Sequence, residues 1–341
     1  MKHTRSLAIV AFTVICTSTC RAQTSDAHLS VPTGDSLIPN NIVQGNNALP
    51  DWYWDGNYLV AWHHFLDASP SLQIYDRAGS LVQEATLWFP GAATVTLSDV
   101  TITRTGQVFV SGGTTSDAGQ VTQFIGKLDG QGKLTRVVRT TPFIPVAVCA
   151  TSDDDTVWAY GFDRVAGSEA RYDYAMLRHY SLTRGLLESF LKRSALLARK
   201  FPIRGWYPGQ TNMRCTPTAV TIYNGPTDQI VSIDVAKKKL TILNVQPLTA
   251  KGLWTGFAIT DDGSIFASFY QKGLGQERAS GLFRLQLGAN ATAKWIAVPG
   301  TISPLGTANR PFDRLAGSDG KHLVYAKDRG SGMLFFAGVV H

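Results

Sequence analysis

The 341-residue chain carries a formal net charge of +7, is 44% hydrophobic and contains four cysteines. So apolar a composition excludes a disordered chain, and so few cysteines over this length exclude a disulfide-stapled miniprotein. The modest charge lacks the dense basic stripe of a nucleic-acid binder.

Lys2, His3 and Arg5 precede an apolar run over 7–16, which small and polar residues follow up to Cys20, Arg21 and Ala22. A basic start, a short apolar run and a small residue at the cleavage point read as a secretory signal peptide over 1–22. The run is too short to span a bilayer, and no later stretch reaches the ~20 apolar residues required. The competing reading is a lipoprotein modified at Cys20 or Cys16. Thr17, Ser18 and Thr19 lack the aliphatic residue such a site carries, which weighs against it. Removing Lys2, Arg5 and Arg21 lowers the net charge to +4 and leaves Cys149 and Cys215 as the remaining cysteines. The expectation is a secreted or periplasmic monomer with no transmembrane segment.

Residues 23–48 are polar and rich in Asn, Pro and Gly, with two short apolar pieces, HLSV and NNIV. They read as a linker or as a strand that closes the fold. Residues 49–341 read as one domain built of repeated units. The cleanest unit is 254–270, WTGFAITDDGSIFASFY, where an alternating run meets a Gly-containing turn and a second alternating run returns. Apolar residues at every second position fit a half-buried strand, and the turn glycine supplies a positive φ. Variants begin at Asp51, Ser98, Val146 and Phe312. The turn residues Gly56, Gly106, Asp154, Ala219, Gly263 and Gly320 fall 44 to 65 residues apart. A second hairpin follows the first pair in units one to five, for example LQIYDRAGSLVQEATLW and LFRLQLGANATAKWIAV. Six units of several short strands predict an all-β, six-bladed β-propeller of four-stranded antiparallel blades. The sixth unit has room for three strands, so the N-terminal segment is expected to supply its fourth through HLSV or NNIV. Over 186–199, LLESFLKRSALLAR fits an amphipathic helix, but a strand followed by a loop with one helical turn better completes the third unit.

These run–turn–run units resemble the secreted bacterial six-bladed propellers, in the neighbourhood of NHL-repeat and TolB-like proteins. The likeness covers 51–341 and is architectural. It implies a rigid scaffold and transfers no catalytic motif.

In a propeller the turns between first and second strands lie on one face, and the connections between blades lie on the other. The first set is short here, and the second is long, so the long-connection face is the expected binding face. At the aligned start of the inner strands on that face stand Asp99, Ala147, Asn212, Gly256 and Asp313, with Leu49 in the first unit. Asp99, Asn212 and Asp313 place oxygen atoms around a channel mouth, where they would hold calcium or magnesium, or bind a polar ligand together with Arg214. The competing reading is that short polar residues at strand starts bond nearby backbone. No other cofactor is expected. Lys192, Arg193, Arg199, Lys200 and Arg204 form a basic segment without acids, suited to an acidic ligand. Asp153, Asp154 and Asp155 lack the Gly and distant Glu of a calcium loop and read as a solvated turn. Cys149 and Cys215 have opposite parity on their strands, which permits a disulfide between neighbouring blades.

The leading function is a non-enzymatic propeller that binds a peptide, glycan or protein through its long-connection face. The alternative is a metal-dependent hydrolase or lactonase with Asp99, Asn212 and Asp313 as ligands and a bound water as nucleophile. A quinone-dependent dehydrogenase would need more cationic groups around the axis than Arg214.

Overall fold

The computed structural model describes residues 29–30, 35–39, 51–62, 70–164, 173–195, 213–224, 228–246, 248, 252–272, 278–301, 303–304, 314–328 and 332–340. Among these, all regular structure is β apart from one 3-10 turn, Arg193–Ala195. Strands β1 (Leu29–Ser30) and β2 (Asp35–Pro39) precede a series of antiparallel runs. The first run is β3 (Asp51–Asp55), β4 (Tyr58–Trp62), β5 (Ser71–Tyr75) and β6 (Leu81–Thr86). The second is β7 (Thr94–Ile102), β8 (Val108–Thr115), β9 (Val121–Leu128) and β10 (Leu134–Arg139). The third is β11 (Phe143–Cys149), β12 (Thr156–Asp163), β13 (Ala175–Ser181) and β14 (Gly185–Lys192). The fourth is β15 (Met213–Cys215), β16 (Ala219–Asn224), β17 (Gln229–Asp234) and β18 (Lys239–Gln246). The fifth is β19 (Gly252–Ile259), β20 (Ile265–Lys272), β21 (Arg278–Leu287) and β22 (Thr292–Ala297), with β23 (Ser303–Pro304) beside β21. The last is β24 (Arg314–Ser318), β25 (Leu323–Asp328) and β26 (Gly332–Val340).

Strand period explains how these runs pack. In the first run Tyr53, Val60 and Trp62 join a cluster with Val100, Val110 and Phe124 of the second. Their neighbours Trp52, Trp54, Leu59 and Ala61 point the other way, against Ala316, Val324 and Ala326 of the last run. The same alternation sends Phe109 and Val148 into a cluster between the second and third runs, and Trp158 and Ile222 into one between the third and fourth. Tyr223 and Phe257 meet between the fourth and fifth runs, and Ala258 and Leu315 between the fifth and last. Each run is therefore apolar on both faces, and the series of clusters returns to its starting run. Burying a large apolar side chain this way contributes roughly 1.5–3 kcal/mol.

Hydrogen bonding divides the strands into four sheets, of nine, four, four and nine strands, rather than one sheet per repeat. Two parallel pairings cause the fusion. One joins β24 to β3 through Gly317↔Trp54 and Ser318↔Asp55. The other joins β18 to β22 through Asn244↔Thr292 and its two neighbours. At Gly317 a Cβ would lie 1.8 Å from the Trp54 carbonyl oxygen, so the bare backbone of glycine lets the two strands pair.

The N-terminal strands pair antiparallel with β26, β1 through Leu29↔Val340 and β2 through Leu37↔Leu334 and its neighbours. HLSV thus contributes Leu29 and Ser30, while the longer partner is DSLIP, and NNIV lies outside the described residues. Residues 185–192 form a strand followed by the 3-10 turn, not a helix. Cys149 and Cys215, each the last residue of its strand, form a disulfide with Cα atoms 5.7 Å apart. Both belong to the contact zone between the third and fourth runs, one of the two arrangements that opposite parity permits.

Candidate functional site

Asp99 follows a bulge in β7, where the pairing with β8 shifts between Leu97 and Asp99. It is 1% exposed, and its Oδ2 accepts the Val148 backbone N–H at 2.8 Å. That bond straps the second run to the third. Asn212 and Asp313, the other two members of the expected metal set, lie outside the described residues. Arg214 sits in β15 with its guanidinium 4.5 Å from the Tyr53 ring centroid, and its Nη1 donates to the Met213 carbonyl at 3.0 Å. Burial lowers the Arg214 pKa, against the charges of Tyr53, Asp55 and Asp99, and Arg214 lines a cavity at the turn end and not the expected long-connection face. Of the basic segment, Lys192 ends β14 and Arg193 opens the 3-10 turn, 6.0 Å from the Tyr174 ring centroid. Arg199, Lys200 and Arg204 lie outside the described residues, as do most long connections of that face.

A formed cavity of about 170 Å³ lies at the opposite end, where the first strand of each run turns into the second. Each run supplies part of its wall. Asp55 and Gly56 come from the first, Arg104 from the second, Ser152 and Asp153 from the third, and Arg214 and Cys215 from the fourth. Asp261 comes from the fifth run and Gly320 from the last. Backbone bonds knit the rim: Gly56 N–H donates to the Ser318 carbonyl at 3.1 Å, and Asp261 N–H to the Gly320 carbonyl at 2.8 Å. Arg104 forms an ion pair with Asp261, and the Thr105 hydroxyl donates to Asp153 Oδ1 at 2.6 Å.

Asp55 is half-buried at the cavity wall. Burial pushes its pKa up to about 7, although Arg214 and Arg104 draw it down and Asp261 adds to the rise. Hydrogen bonds from the Thr103 and Thr105 hydroxyls hold Asp153 below its ordinary value. One wall thus presents a carboxylate that is partly protonated near neutrality and another that is ionised. The sequence reading missed Asp55, Arg104 and Asp261 because each looks like a solvated turn residue. The signal that points to them is positional, since each lies just before or at a first-hairpin turn at a similar offset in its repeat.

No family model matches the chain, and no curated protein matches it. Among solved structures it is similar to U3-55K (TM-score 0.48, 7% identity, covering 90% of this chain and 100% of that one). It is similar also to the RRP9 WD40 repeats (TM-score 0.49, 8% identity, 92% and 100%). A third is the major Malassezia sympodialis allergen Mala s 1 (TM-score 0.47, 11% identity, 91% and 97%). Likenesses this shallow say nothing of activity.

Proposed function

We propose that the chain is a secreted six-bladed β-propeller acting as a binding protein, and that its ligand sits at the turn end of the axis. The six-fold reading is supported by the closed series of interface clusters, and by β1 and β2, which give the last run an outer strand. The parallel β24·β3 and β18·β22 pairs are then contacts between blades. The observation that carries the binding reading is the cavity walled by the first hairpin of every run. Loops held by a rigid scaffold converge there, as they do in preformed binding sites. The connections expected to form a peptide, glycan or protein face at the other end lie mostly outside the described residues. The metal-dependent hydrolase has less behind it, because Asp99 is already engaged with the Val148 backbone.

A thermal-shift screen of amines, carboxylic acids, sugars and short peptides tests this. A ligand should raise the melting temperature, and Ser152→Trp, which fills the cavity from its wall, should remove the rise. A rise that survives Ser152→Trp would move the site elsewhere. No stabiliser in any class would count against a small-ligand binder altogether.

A further inference from the structure

The balance of charge in the cavity wall points to a ligand chemistry. Arg104 is ion-paired with Asp261. Arg214 lies over the Tyr53 ring, donates to the Met213 carbonyl, and feels the charges of Asp55 and Asp99. Asp153 brings a further carboxylate, bonded to the Thr105 hydroxyl. The wall therefore holds the carboxylates of Asp55, Asp153 and Asp261 against the guanidiniums of Arg104 and Arg214. Arg104 is paired with Asp261, and Arg214 lies in the field of Asp55 and Asp99, so negative charge is left over around the cavity. A cleft lined by one sign of charge concentrates ligands of the other.

We propose that the cavity takes a small organic cation, bearing a primary ammonium or a guanidinium, with Asp55 and Asp153 as its counter-charges. The inference rests on the binding reading above and adds the class of ligand. An anion would meet a net charge of its own sign. A divalent metal ion needs several converging oxygen ligands, and among the described residues no group of three His, Cys, Asp or Glu is gathered to hold one. An ammonium or guanidinium needs only one or two carboxylates.

The assignment has a pH signature. Asp55, with its pKa near 7, is mainly protonated at pH 6 and mainly ionised at pH 8. The other charged or titratable groups acting on it are Tyr53, Arg104, Arg214 and Asp261, with Asp99 acting in turn on Tyr53 and Arg214. Tyr53 is held well above its ordinary value by burial, and Asp153 stays ionised throughout. A cation that uses the Asp55 carboxylate should thus bind roughly tenfold more tightly at pH 8 than at pH 6.

Calorimetric titration of the mature chain with agmatine, cadaverine, glutarate and calcium chloride, each at pH 6 and pH 8, reads this directly. At least one of the two amines should bind, with the stated pH dependence. Asp55→Asn should abolish that dependence. Asp153→Asn, at an exposed turn position, keeps an amide oxygen to accept from the Thr105 hydroxyl and should weaken the amine several-fold at both pH values. Ser152→Trp should remove binding. Failure of both amines overturns the inference, as does amine binding that Asp153→Asn and Ser152→Trp leave unchanged. If glutarate or calcium binds instead and Ser152→Trp abolishes it, the binding cavity stands and the cationic assignment falls. If every probe that binds ignores Ser152→Trp, the binding cavity falls with it.

Discussion

Asp99 and Asp55 are two carboxylates near one axis with opposite characters, and local geometry separates them. Asp99 is directed into the packed strands and accepts the Val148 N–H across a run boundary. Removing that acceptor would leave a buried donor unsatisfied, at a cost of roughly 1–3 kcal/mol. Asp55 stops at the cavity wall, where burial favours its neutral form. The folded protein therefore keeps a proton that the unfolded chain gives up once the pH passes about 4. Between about pH 4 and pH 7 this group makes stability fall as pH rises, and above pH 7 its contribution is constant. Asp55→Asn has no such titration. Urea unfolding should show the variant gaining on the order of 2 kcal/mol on the wild type between pH 4.5 and 7.5. Equal differences at the two pH values would show that Asp55 ionises normally. Asp99 stood out in the sequence because aligning the units puts it at the start of an inner strand, and Asp55 was passed over because a turn aspartate is ordinarily solvated.

At the scale of the element, tertiary pairing overrode local pattern in two places. Residues 186–199 have a helical spacing of apolar residues, yet β14 pairs with β13 from Ser181↔Gly185 to Ala175↔Lys192. Pairing along the whole strand outweighs a propensity worth tenths of a kcal/mol per residue. At the N-terminus HLSV and NNIV stood out as short apolar pieces. DSLIP did not, because it begins with two polar residues and ends in Pro39, which reads as a break and not as a strand. Its role depends on β26, some 300 residues later, which no local window contains. Without β1 and β2, the outer edge of β26 would lose its antiparallel partners from Gly332↔Pro39 to Val340↔Leu29. At about 1 kcal/mol or less per lost backbone bond, deleting residues 23–40 should cost on the order of 3 kcal/mol and lower the melting temperature by roughly 5–10 °C. An unchanged melting temperature would mean that the N-terminal strands add nothing to the fold.

The whole molecule was legible where one rule repeats. The two-residue side-chain period sends neighbours to opposite faces. The inner strands are apolar on both faces, not on the one that half-buried alternation implied, so each face becomes a cluster joining neighbouring runs. The position of the cavity was not legible. Loop length pointed to the opposite face, whereas the polar wall is assembled from short turns that meet only when the runs are arranged about an axis. The seam between the first and last runs is likewise a property of closure, and it makes the sharpest demand on a single residue. Gly317 on β24 lies opposite Trp54 on β3, and a Cβ there would sit 1.8 Å from the Trp54 carbonyl oxygen, 2.8 Å from its carbonyl carbon and 3.2 Å from its Cα. All three obstacles are backbone, so no side-chain rotation relieves them, and one of the two strands has to move. Gly317→Val should therefore separate β24 from β3 and cost about 3 kcal/mol or more, as overpacking with backbone displacement does. Gly130→Ala is the matched control, because its Cβ would meet nothing within 4 Å and its φ is not in the left-handed region. Thermal unfolding of the two variants, with hydrogen exchange at Trp54 and Asp55, separates a seam from a coincidence. Exchange there should accelerate in Gly317→Val alone. If Gly317→Val melts with Gly130→Ala and protects Trp54 and Asp55 equally well, the first and last runs do not meet and the closed ring is wrong.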